Sequence, residues 1–150
     1  MKIEGVEYTK LPNGVMIPAV YLQEKQKIMR AEDVFPLCAS IQCEEQECFC
    51  VLLLDGGNMV IEFIEVTKGL VNKTQVHARE VFKHAIRKNA TSIILIHNHP
   101  STTLEPSDAD SQITIKMVEA GKLLGIPVLD HVIVGAKGFY SIRDNHPSCF

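Results

Sequence analysis

The sequence predicts an α/β (α+β) domain, a mixed β-sheet flanked by helices, preceded by an N-terminal hairpin extension. Three observations carry this. Apolar runs of strand length recur as ECFCVLLLD, MVIEFIEV, SIILIHNH and VLDHVIV. Stretches of helical period, VHAREVFKHAIRKN and the segment from Ser107 to about Leu124, separate them, and such alternation is that of helices packed on a sheet. Finally, 150 residues with 46% hydrophobic and 22% charged side chains suit an ordinary globular domain able to bury a real core. Residues 1–30 are expected to form the hairpin and a connector, and residues 31–150 the main domain.

The elements follow from local signals. VEYTK and VMIPAVYL flank Pro12-Asn13-Gly14, a strong turn, and Pro18 confines the second strand to an edge; this hairpin packs as an appendage or pairs with a partner molecule. QEKQKIMR is a polar connector, and AEDVFPLCASIQ is a helix interrupted by Pro36. ECFCVLLLD, bounded by DGGN, reads as a buried strand turning into MVIEFIEV, a hairpin expected at the middle of the sheet. Gly69 and Asn72 mark the next loop. The helix after it turns Val81, Phe82, Ala85 and Ile86 to the sheet and stops at Asn89. SIILIHNH is a strand ended by Pro100. The helix from Ser107 ends at Gly125 and Pro127, VLDHVIV turns through Ala136-Lys137-Gly138 into FYSI, and NHPSCF is a loose tail. There is no internal repeat or low-complexity segment.

Composition narrows the partners. A net charge of −3 supplies no global basic field for nucleic acid or an anionic membrane, so a nucleic-acid partner is open but not indicated by charge. The longest apolar runs are too short to cross a bilayer. Five cysteines, an odd number without zinc-finger or CxxC spacing and with no signal peptide before them, suit the reducing cytoplasm. Cys48 and Cys50 read as small buried apolar residues rather than as a metal or redox pair.

The chemistry is concentrated in LIHNHPSTTLEPSDAD, residues 95–110. A spacing of two on a strand turns His97 and His99 to one face, where both imidazoles can grip one ion. Ser107 opens the helix and Asp110 lies one turn in, so a helix start folded back over the strand end brings its carboxylate in as a third ligand. Two nitrogens, one oxygen and a fourth position left to water describe a catalytic zinc site. Taken separately, two histidines at a strand end and Ser-x-x-Asp before an apolar run are structural commonplaces; joined at this spacing they specify a site holding one Zn2+ per chain. A zinc-activated nucleophile needs a proton acceptor, and Glu44, Glu45 and Glu47 precede the buried strand; alternation cannot choose among them.

His97, His99, Ser107 and Asp110 match the JAMM (MPN, JAB) metal-binding motif, and VHAREVFKHAIRKNATSIILIHNHPS, EPSDAD and AGKLLGIPVLDHVIVG resemble the RadC family over about residues 45–143. The resemblance implies the cytidine-deaminase-like arrangement of JAMM domains. It implies Glu47 as general base, with Glu45 next in line, metal ligation by His97, His99 and Asp110, and Ser107 as hydrogen-bond donor to the oxyanion of a tetrahedral intermediate. Such a site suits peptide or isopeptide bonds in a peptide or protein substrate. His131, in the LDH-I-VG text, is more simply a satisfied structural histidine; the alternative is that it touches the site from a neighbouring strand or orients a ligand. His77, His84 and His146 are a helix start, an exposed helix face and a tail residue without metal spacing. The letters HNH do not make a nuclease motif, whose residues are dispersed, and a nucleobase deaminase would need H-x-E and P-C-x-x-C.

Two rival functions remain at this level: a RadC-type protein associated with DNA repair or recombination, and a non-catalytic MPN-like interaction module. Residues 1–40 hold nothing like the helix-hairpin-helix that RadC-like proteins often carry, and a scaffold has no need of the full ligand set. Oligomerisation into homo-oligomers is compatible with the hairpin edge.

Overall fold

A computed structural model describes residues 2–3, 6–10, 14–18, 26–69, 76–101 and 103–150. Near the N-terminus β1 (Lys2–Ile3), β2 (Val6–Lys10) and β3 (Met16–Pro18) form a three-stranded antiparallel sheet in the order β1-β2-β3. The expected hairpin is its β2–β3 part. Pro12 and Asn13 lie outside the described residues, while Gly14 takes the positive φ of 85° that a turn requires and glycine tolerates.

The main sheet has five strands in the order β5-β4-β6-β7-β8: β4 (Cys48–Leu54), β5 (Val60–Lys68), β6 (Ser92–Asn98), β7 (Val128–Gly135) and β8 (Gly138–Ser141). It is mixed, as predicted, because β6 and β7 run parallel and all the other pairs antiparallel. The β4–β5 hairpin is not at its middle. β6 is the central strand and β5 an edge, capped at one end where Lys27 bridges Met59. Burial explains the misreading: β4 is buried along its whole length, whereas β5 alternates between half-buried and exposed positions and stays apolar enough to pass for an inner strand.

Helices cover both faces. α2 (Ala78–Arg87) and α3 (Asp108–Leu124) pack on the side bearing Phe49, Val51, Leu53, Ile93 and Leu95. α1 (Ala31–Val34) and the 3-10 turn Phe35–Cys38 pack on the side bearing Cys50, Leu52, Leu54, Ile94 and Ile96. Pro36, with no N–H to donate, stands at the head of that 3-10 turn, which is where the predicted longer helix changes form. On α2, Val81, Phe82 and Ala85 are buried as expected, but Ile86 is 56% exposed because it falls on the outer side of the helix, and His84 is half-buried rather than on an open face. Asn89 ends the helix at φ 54°. Gly125 closes α3 in the left-handed conformation. Gly69 has φ 76°; Asn72 lies outside the described residues.

The C-terminal tail is ordered rather than loose. Ser141 caps α4 (Ile142–Asn145) by accepting a hydrogen bond from the Asp144 N–H at 3.1 Å, and the His146 ring meets the Tyr140 hydroxyl at 2.9 Å. Phe150 packs against the core beneath the Arg143 guanidinium, and its backbone oxygen accepts a hydrogen bond from Lys122 Nζ at 3.0 Å. A terminal phenylalanine on an otherwise polar segment was the available sign of this packing. Among the described residues, no helix is long and apolar enough to cross a membrane.

Candidate metal centre

The alternation of β6 divides its end between two tasks. Ile93, Leu95 and His97 face α2 and α3, while Ile94, Ile96 and Asn98 face the other way. His97 is fully buried. His99, one residue past the strand, keeps its direction because its N–H still bonds the Val134 carbonyl of β7 at 3.0 Å. The His99 Nδ1–H donates to the Thr103 carbonyl at 3.0 Å, which leaves Nε2 with its lone pair turned inward. The loop then hands the chain to α3, whose first turn returns over the strand end.

Asp110 completes the set from α3 and serves two purposes. Its Oδ2 accepts the Ser107 N–H at 2.8 Å while Ser107 Oγ accepts the Asp110 N–H at 3.2 Å, a reciprocal capping box that fixes the helix start. The same carboxylate, fully buried, stands 3.2 Å from His97 Nε2 through Oδ1 and 3.1 Å from His99 Nε2 through Oδ2. The two histidine Nε2 atoms are 3.0 Å apart. Of the three candidate glutamates, Glu47 is the one brought in, its Oε1 3.7 Å from His97 Nε2. Glu44 instead pairs with Lys68 at 3.2 Å, and Glu45 is exposed on the wall of a neighbouring cavity.

Asn98 explains why Glu47 arrives. Fully buried on the opposite face of β6, its Oδ1 accepts the Cys48 N–H at 2.6 Å, and its Nδ2 donates to the carbonyls of Gln46 at 3.0 Å and Glu44 at 3.3 Å. The residues on both sides of Glu47 are therefore pinned. Sequence reasoning passed over Asn98; its position between the two histidines of a strand was the one signal available. His131 answers to both readings: it is buried with both ring nitrogens hydrogen-bonded, and it touches the cluster, meeting His97 Nδ1 at 2.7 Å through Nε2 from the adjacent strand β7. Its place is fixed by Asp130, which accepts the His131 N–H at 2.6 Å and the Ser141 hydroxyl at 2.6 Å; burial, the largest influence, pushes the Asp130 carboxyl above its ordinary pKa.

Glu47, His97, His99 and Asp110 offer four ligand atoms within 4.8 Å of one another. Ligand spacings of 3.0–3.2 Å between the histidine nitrogens and Asp110 approach the tetrahedron edge of about 3.3 Å that zinc bonds of about 2.0–2.1 Å imply. Two imidazoles and carboxylates converging in a buried space are reconciled by a cation, so the residues fit a divalent metal. His77 and His146 lie elsewhere, at a helix N-cap and against Tyr140. All five cysteines are free thiols; Cys38, Cys48 and Cys50 are buried among apolar neighbours, and burial pushes Cys38 up to about 12 and raises Cys48 and Cys50 as well. A cavity of about 540 Å³ adjoins the centre, with Gln42, Cys43, Glu45, His99, Leu104 and Lys137 on its walls.

A mixed sheet between helices, with such a cluster where β6 hands over to α3, defines a JAB-type domain with a candidate metal site. Residues 20–147 match the model of the RadC-like JAB domain, and the chain belongs to that family. It is 40% identical to a UPF0758 protein of Finegoldia magna over 95% of this chain and 68% of that relative. It is 44% identical to one from Chlorobium phaeovibrioides over 81% of this chain and 55% of the relative, and 42% identical to one from Methanosarcina barkeri over 96% and 66%. The chain thus spans roughly half to two-thirds of the length of these proteins.

Proposed function

We propose that the protein is a zinc-dependent hydrolase of the JAMM type, acting on a peptide or isopeptide bond of a peptide or protein substrate. The observation that carries this reading is the convergence of Glu47 on the buried His97, His99 and Asp110. His97, His99 and Asp110 would hold the zinc, which supplies Lewis-acid polarisation and acidifies water. Glu47 enters from the start of β4, half-buried and beside the ligands rather than behind them, so its carboxylate can take a proton from the nucleophile and pass it to the leaving amine. Ser107 caps α3 with an oxygen lone pair, and its hydroxyl hydrogen stays free of that bond to serve a developing oxyanion. The adjoining cavity offers the substrate a path to the His99 side of the centre, with Leu104 as an apolar wall and Glu45 and Lys137 as charged groups of opposite sign. Five free thiols suit a reducing compartment such as the cytoplasm.

The test uses the whole chain and its zinc content. Wild-type protein should carry about one zinc per chain and cleave members of a fluorogenic peptide library. Glu47→Gln should retain the metal and lose at least about a hundredfold in turnover, the range expected for a general base. His97→Ala should lose the metal. Cleavage by Glu47→Gln at the wild-type rate, or wild-type protein without stoichiometric zinc, would refute the assignment.

A further inference from the structure

A metal-binding imidazole must present a bare nitrogen, yet an isolated neutral histidine populates both of its tautomers. For His99 the choice is made by the Thr103 carbonyl. For His97 it is made by a chain of hydrogen bonds whose direction is forced from its far end. Thr114, fully buried on α3, lies one turn beyond Asp110, and its Oγ1 is 2.7 Å from the Asp110 backbone carbonyl. A carbonyl only accepts, so the hydroxyl hydrogen is committed there. The same Oγ1 lies 2.6 Å from His131 Nδ1 and is left to act as acceptor, which requires the hydrogen to be on that nitrogen. An uncharged ring that donates through Nδ1 is bare at Nε2, and His131 Nε2 is 2.7 Å from His97 Nδ1. His97 therefore donates through Nδ1, and its Nε2 lone pair faces Asp110 and His99.

We propose that Thr114 and His131 are positioning residues that lock His97 in its Nδ1–H tautomer, so that Nε2 is aimed at the cation before the cation arrives. The relay starts from the backbone carbonyl of Asp110 and ends beside the carboxylate of the same residue, which ties the two ligands to one another through α3 and β7. The His131 ring is held at both nitrogens and packs edge-to-face with Phe49 at a centroid distance of 5.7 Å, while Asp130 fixes the backbone beneath it by accepting the His131 backbone N–H. The inference rests on the reading of His97 as a zinc ligand, but the hydrogen bonds that direct the tautomer come from Thr114 and His131 and not from the metal. Outer partners of this kind are worth about 10- to 100-fold in metal affinity.

Long-range nitrogen–proton NMR of the metal-free, histidine-labelled protein reads the tautomer directly. The expected result is His97 protonated on Nδ1 and bare on Nε2, and His131 likewise. Thr114→Val, of equal shape but without an acceptor, should scramble both assignments and weaken zinc, measured by competition with a chromogenic chelator, by about 10- to 100-fold, while Thr114→Ser restores both. Wild-type His97 protonated on Nε2 would overturn the proposal, as would Thr114→Val that keeps the wild-type tautomer and binds zinc within twofold. If Thr114→Val fails to fold, the wild-type spectrum and Thr114→Ser still decide the matter. The expected tautomer in a protein that takes up no zinc would leave the relay standing and remove the hydrolase reading instead.

Discussion

Replacing Asn98 by alanine tests how the fold delivers Glu47. The side chain makes three hydrogen bonds, to the Cys48 N–H and to the carbonyls of Gln46 and Glu44, at 2.6, 3.0 and 3.3 Å. The Cys48 N–H is buried, and orphaning such a donor costs about 1–3 kcal/mol; the two carbonyls lie nearer solvent, and each lost bond there costs about 0.5–1 kcal/mol. The total is about 3 kcal/mol. For a chain of 150 residues each kcal/mol lowers Tm by about 2–4 °C, so calorimetry should record a fall of about 6–12 °C. Hydrogen exchange should accelerate over residues 44–48, while zinc affinity changes by less than about threefold, because His97, His99 and Asp110 are held by β6, β7 and α3. A Tm within about 2 °C of wild type, or unchanged exchange at Cys48, would refute the claim that Asn98 pins this segment.

Gly121→Ala gains about 1 kcal/mol of helix propensity, but its Cβ would stand 2.5 Å from the Ile126 backbone oxygen and 3.4 Å from Phe82; the clash should win, lowering urea stability by about 1–3 kcal/mol, and a stabilised variant would contradict the packing. The raised thiols of Cys38 and Cys50 favour the folded state fully below the ordinary thiol pKa of 9.0, and this contribution is lost as pH rises from there, towards about 12 for Cys38 and further for Cys50. The unfolding free energy should therefore fall above pH 9, by up to about 1.4 kcal/mol per pH unit per thiol, and less steeply in Cys38→Ala. In the folded protein at pH 8 the exposed Cys43 should react with a thiol reagent at once and the buried Cys38, Cys48 and Cys50 only on unfolding; equal reactivity would argue against the burial. Chelation should leave far-UV circular dichroism unchanged, since the core on both sheet faces is complete without metal; unfolding by chelator would contradict that.

The strands of the main sheet and its two long helices were legible because their signals are local: four apolar runs, the Ser107 cap and the Gly125 stop each act within a few residues. The convergence of His97, His99 and Asp110 was legible for the same reason, since they lie within one strand-loop-helix passage. Glu47 was not legible from its surroundings. Three glutamates precede β4, and what separates them is the Asn98 clamp, a contact across about fifty residues of sequence that spacing does not reveal. The contact of His131 with the cluster was not legible because its partner His97 lies on another strand, and the parallel β6–β7 pair is joined by a crossover through α3 rather than by any turn. The placement of β5 at the edge and the packing of Phe150 likewise depend on which surface happens to be covered.

Asp110 begins a helix and grips a neighbouring pair of imidazoles with one carboxylate. Its permissible replacements are therefore restricted twice over. Asparagine can keep an oxygen for the Ser107 amide but forfeits the negative charge, whereas glutamate can close the same box and keep the charge but carries its carboxylate one carbon further along, out of register with the two imidazoles. Each property that the helix start and a cation bound at this candidate centre would demand is met together by aspartate, and a drift at this position would disturb the cap and the cluster at the same moment.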